Sequence, residues 1–140
     1  MQRLSPIYLC AAMCAATPAM AATGVFGLWT TEKNNGRVLI QPCGPALCGR
    51  VVDGNQLRTN ANQLDVNNPD PAKRARRVKG LVILEGYTGG PEIWQGGSVY
   101  DPQTGDQADN STLTLVSPGM LKIRGCRILF CRSEIWTRAN

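Results

Sequence analysis

After residue 24 the chain is a succession of short alternating apolar and polar runs, broken every few positions by glycine, proline or asparagine. Leu113 and Leu115 sit between threonines, and Leu121 and Ile123 alternate with Lys122 and Arg124, so each run has one apolar and one wet face. The pattern predicts eight strands: Val25 to Thr31, Arg37 to Pro42, Leu47 to Val52, Leu81 to Tyr87, Ile93 to Tyr100, Thr112 to Val116, Met120 to Cys126 and Ser133 to Arg138. Between them stand Asn34-Asn35-Gly36, Cys43-Gly44-Pro45, Thr88-Gly89-Gly90-Pro91, Asp101-Pro102-Gln103-Thr104-Gly105 and Ser117-Pro118-Gly119, clusters suited to hairpin turns. Short strands joined in sequence order make an antiparallel meander, and such a meander removes its edges only by closing. The expected fold is therefore mainly β, a single eight-stranded antiparallel up-and-down barrel, wide enough for side chains or one small ligand.

One stretch breaks the pattern. Residues 53 to 79, between strands 3 and 4, are too polar for a strand and too long for a hairpin loop. Asp70-Pro71 reads as an N-cap with proline in the first turn, and Ala72 to Arg77 as a short helix. Lys73, Arg74, Arg76, Arg77 and Lys79 put five positive charges into seven residues. This cluster is either an anion contact at the barrel mouth, with Arg74 and Arg77 as ligand-binding candidates, or a solvated helix whose cations complement its own dipole.

Residues 1 to 21 have the form of an export signal: Arg3, an apolar run from Ile7 to Ala16, then Ala19-Met20-Ala21 with small residues where a signal peptidase cuts. Cleavage after Ala21 leaves residues 22 to 140 as one domain. An exported protein folds in an oxidising compartment, so its cysteines are read first as disulfide partners. Cys43 and Cys48 flank a Gly-Pro turn between two strands, and Cys126 and Cys131 repeat that spacing. The expected pairs are Cys43 with Cys48 and Cys126 with Cys131, with cross-pairing between the hairpins as the alternative. An all-thiolate zinc site fits the spacing but not the compartment, and no metal or other cofactor is expected.

The chain carries 15 basic and 10 acidic residues, a net charge of +5, and no histidine. The charge of an exported protein either points toward anionic envelope lipid or polymer, more than toward nucleic acid, or serves solubility alone. The missing histidine excludes Ser-His-Asp and Cys-His catalysis in their usual forms. Glu85, Glu92, Asp101 and Glu134 show no spacing that pairs two carboxylates for glycoside chemistry. No catalytic residue is expected.

Gly27-x-Trp29 resembles the opening of lipocalins, in which the tryptophan closes one end of the barrel and stacks on an arginine from the last strand. Trp136-x-Arg138 is placed to supply that partner. A longer series of motifs follows in order: Cys48-Gly49-Arg50-Val51-Val52, Asp65-x-x-Asn68-Pro69, Arg77-x-x-Gly80-Leu81, Trp94-x-Gly96-Gly97-x-Val99-Tyr100-Asp101-Pro102-x-x-Gly105, and Leu121-x-x-Arg124-Gly125-Cys126. Together they closely resemble the bacterial family named domain of unknown function 2147, across nearly all of residues 22 to 140. The resemblance implies a small exported protein with a lipocalin-like (calycin) barrel, and no mechanism. The chain departs from the family after Gly105, where Asp106-Gln107-Ala108-Asp109 replaces a lysine and an aromatic, so no ligand contact is carried over to that turn.

Two functions fit these residues. One is periplasmic binding of a small apolar or amphiphilic molecule in the barrel, with Arg124 as the inward cation for an anionic head and the basic cluster as the approach surface. The other is a filled barrel acting as a structural or interaction module of the cell envelope. An apolar cavity favours the first, and a lumen packed shut favours the second.

Overall fold

The computed structural model describes residues 14–15 and 24–140, so the expected export segment lies outside the described residues except for Cys14 and Ala15. Eight antiparallel strands close in sequence order into one barrel. They are β1 (Gly27–Thr30), β2 (Arg37–Cys43), β3 (Ala46–Asp53), β4 (Val82–Gly89), β5 (Ile93–Asp101), β6 (Asp106–Ser117), β7 (Met120–Arg127) and β8 (Phe130–Arg138). Up-and-down order places the β1–β2, β3–β4, β5–β6 and β7–β8 connections at one end, the mouth. The remaining three turns, Gly24 and the last residues of the chain lie at the other end.

That second end is sealed by packing. Trp29 is fully buried, and its Nε1 donates to the Val25 carbonyl at 2.8 Å. The Arg138 guanidinium stacks on the Trp29 ring 4.3 Å from its centroid. The same guanidinium donates to the carbonyls of Pro118 (2.7 Å), Phe26 (3.1 Å) and Gly24. One side chain thus ties the segment before β1, the β6–β7 turn and the last strand together. Above it Ile40, Leu47, Leu84, Tyr87, Leu113 and Leu121 interdigitate with almost no exposure. Gly97 makes room for the Tyr87 ring, since a Cβ there would lie 2.4 Å from it. The Tyr87 hydroxyl donates to Ser111 at 2.7 Å, and Ser111 donates on to the Arg124 carbonyl at 3.0 Å.

Both expected disulfides are present, Cys43–Cys48 across the β2–β3 turn and Cys126–Cys131 across the β7–β8 turn. They sit at opposite ends of the barrel, so the two pairs cannot share a metal ion.

Two strands outrun their alternation. β6 begins at Asp106 and not at Thr112, and β8 at Phe130 and not at Ser133. Their first residues lack the apolar alternation and pair by backbone ladder, as in Val99 with Ala108 and Cys126 with Cys131, where the strands line a hollow and not a packed core.

The β3–β4 connection also differs from expectation. The expected helix over Asp70 to Arg77 shrinks to one 3₁₀ turn, Pro71–Lys73, capped by the Asp70 side chain accepting from the Ala72 amide at 3.0 Å. Helix cannot continue because the backbone is already engaged: Asp65 donates to Arg76 at 2.8 Å and Val78 to Gln63 at 3.0 Å, tying the two arms of the loop to each other. A short helix absent from the sequence expectation, α1 (Asn55–Thr59), starts the strap and buries Leu57.

Arg138→Met keeps the stem of the side chain but removes the cation and its three backbone contacts. We expect it to lower unfolding stability by about 2 kcal/mol, measured by urea denaturation, with Lys122→Met, an exposed cation without such contacts, within about 0.5 kcal/mol of the parent.

Candidate functional site

Side chains fill the barrel from the sealed end only as far as Trp136. Above it lies a cavity of about 790 Å³ that opens at the mouth. Its walls are apolar, with Val38, Val51, Ile83, Val99 and Ile123 from the strands and Leu57 and Val78 from the strap. Trp136, 3% exposed, makes its floor, with Nε1 donating to Glu134 at 3.1 Å.

Charge enters near the mouth. Arg37, Asp53, Asp106, Arg127, Arg132 and Glu134 all line the cavity. Two of them are neutralised locally: Asp53 by Arg58 at 3.0 Å and Asp106 by Arg127 at 2.8 Å. The Gly54 amide and then Arg58 hold Asp53 below the ordinary carboxylate pKa. A register shift that skips Val52 of β3 sets Arg37 opposite Asp53, and both line the cavity. Arg132 lines the cavity and, like Arg37 and Lys33, forms no salt bridge among the described residues, so it is free to meet a ligand.

The strap that roofs the mouth is held by one buried carboxylate. Asp65 has no exposed side-chain surface, yet accepts from Tyr100 Oη at 2.5 Å, Asn68 Nδ2 at 2.9 Å and Arg76 at 2.9 Å. Burial pushes its pKa up, but the three donors outweigh burial and the net shift is downward. The Tyr100 hydroxyl is raised by burial and by its bond to that carboxylate. Asn67 extends the attachment by donating to the Gln103 carbonyl at 2.8 Å, in the β5–β6 turn. The turn needs Gly105 with its φ of +78°, because a Cβ would collide with the Asn67 carbonyl at 2.0 Å.

Of the residues expected to bind ligand, none lines the cavity. Arg124 is exposed on the outer face of β7, contrary to its expected inward role, because it shares parity with Lys122 and not with Leu121 and Ile123. Arg74 lies on the strap surface, with Nε donating to the Asn68 carbonyl at 2.7 Å, and exposed Arg77 pairs its backbone with Leu64. Trp29 and Arg138 meet at the sealed end, and Trp136 faces the cavity. Arg132 and Glu134 were missed, although a count backwards by twos from Trp136 finds both. Arg127 follows from Ile123 by the same count.

Residues 27–138 match the family described as "Uncharacterized protein conserved in bacteria (DUF2147)". The chain belongs to this family. A solved protein of Helicobacter pylori, described as belonging to the lipocalin family, superposes with a TM-score of 0.71. The match covers 81% of this chain and 82% of the other at 19% identity, which shows a lipocalin-like fold. No curated protein matches the chain. Within the DUF2147 motifs, Asp65, Asn68, Gly97, Tyr100 and Gly105 all act in the packing just described, in the strap anchor and the Tyr87 contact.

Because Asp65 has a folded pKa below its ordinary value of 3.8, its stabilisation is complete above that value and is lost as pH falls through the folded value. Asp65→Asn is expected to unfold more easily at neutral pH and to show a shallower loss of melting temperature below about pH 4 than the parent. A parallel acid limb in both proteins would contradict this.

Proposed function

We propose that the protein binds a small apolar or amphiphilic molecule inside the barrel, in the oxidising envelope compartment of a bacterium. The observation that carries this reading is the division of the lumen, packed below Trp136 and hollow above it. A volume of about 790 Å³ falls within the roughly 300–1,000 Å³ of ligand pockets. Apolar walls suit a hydrocarbon body, and Arg132 near the rim takes an anionic head in place of Arg124. The packed lower half alone would suit a filled structural module, but the hollow upper half favours a binder. Exported, periplasmic location is part of the same reading. It draws on the two disulfides, the bacterial family and the signal pattern of residues 1 to 21. The role is binding without catalysis; of the lining carboxylates, Asp53 and Asp106 are each held by an arginine and Glu134 accepts from Trp136 Nε1.

The test is native purification from the periplasm, mass spectrometry of the organic extract, and thermal shift of the extracted protein with a fatty-acid series. A co-purifying amphiphile and a chain-length-dependent shift are expected. Ile83→Trp, which fills the cavity, should abolish the shift, and Arg132→Gln should weaken a fatty acid by about tenfold while sparing the corresponding alcohol. A blank extract with no shift from any fatty acid or neutral lipid overturns the reading.

A further inference from the structure

The β7–β8 hairpin ends in Ile128, Leu129 and Phe130, which are 104%, 85% and 78% exposed. Other large hydrophobics exposed among the described residues reach at most 60%, at Val66. Three consecutive side chains of this size, uncovered by the fold, stand out from the scattered apolar exposure of an ordinary surface. They project from a tip that Cys126–Cys131 closes covalently, so the loop is held out from the barrel. Arginines flank the tip: Arg127 before it, Arg132 after it and Arg124 on the outer face of β7. Asp106 is engaged by Arg127 and Asp109 by Gln107, while Arg124 and Arg132 form no salt bridge among the described residues.

We propose that this tip docks the protein on an anionic lipid bilayer, with Ile128, Leu129 and Phe130 inserted at the headgroup boundary and Arg124 and Arg132 on lipid phosphates. A wedge of three residues is small for a stable protein interface, which takes about 20–30 residues a side. A two-fold dimer through the same tip would also set its arginines against their own copies. A bilayer accepts both the apolar wedge and the cations. The tip residues line the cavity rim as well, so docking would turn the mouth toward the membrane. The proposal does not depend on any molecule occupying the lumen.

The experiment is co-sedimentation of the delipidated, disulfide-bonded protein with vesicles of phosphatidylcholine alone or mixed with phosphatidylglycerol. Binding to the mixed vesicles is expected, at least about tenfold weaker on phosphatidylcholine alone. The double variant Leu129→Asp, Phe130→Asp should lose about a hundredfold or more with unchanged circular dichroism, because the tip packs against nothing. Arg124→Gln, outside the cavity, should weaken only the anionic case, and Lys122→Gln, on the same face of β7 nearer the sealed end, should weaken it less. Equal binding by the tip variant, no preference for the anionic lipid, or no binding at all overturns the proposal. So does a dimer in light scattering that the tip variant dissolves without any vesicle binding, which assigns the tip to a second copy.

Discussion

The barrel closes along a seam of two residue pairs, Trp29 with Arg138 and Thr30 with Thr137. β1 is only four residues long, so backbone hydrogen bonds alone give this seam little strength. The Arg138 guanidinium supplies the rest by joining an aromatic face, two carbonyls of the N-terminal segment and a carbonyl of the β6–β7 turn. Everything above inherits its position from that clasp. Trp29 sets the base of the core, the core sets the height of Trp136, and Trp136 sets where packing stops and open space begins. A sheet left unclosed here would present two edges and no enclosed space.

Closure at one pole leaves the other to be held by different means. There the chain uses polar anchoring: a buried carboxylate with three donors fixes the strap, and ion pairs hold Asp53 and Asp106. Such groups keep their geometry without filling volume, which is what a hollow requires. An apolar core at the same place would have collapsed into it. Removing Arg76 would leave the Asp65 charge unpaired in a dry site, and removing Tyr100 or Asn68 would leave one of its acceptor positions empty there.

Alternation made the strands legible because one face of each is buried, and turn chemistry made the hairpins legible because glycine and proline mark them. Both signals fade at the mouth. Asp106 to Asn110, apart from buried Ala108, and Phe130 to Arg132 form strand with polar or exposed side chains, and only the neighbouring ladders reveal them. Parity was the more instructive loss. Arg124 stands beside Leu121 and Ile123 in the sequence but opposite them in space, whereas Arg132 and Glu134 follow directly from Trp136 in steps of two. The strap was illegible for another reason. Its conformation depends on Asp65 meeting Tyr100, 35 residues away, and no local pattern encodes that distance. The family motifs did contain both residues, as positions without a visible reason.

Gly24 and the C-terminal residues meet at the sealed pole, where Arg138 and the Ala139 amide bind the first strand and the segment before it. The molecule consequently has a handle at one end and an aperture at the other. A linker, label or solid support attached at the C-terminus would leave the rim unobstructed and pointing away from the attachment. The same polarity makes the barrel a natural scaffold for display, since the β1–β2 and β7–β8 connections at the rim lie away from both the seam and the Asp65 anchor.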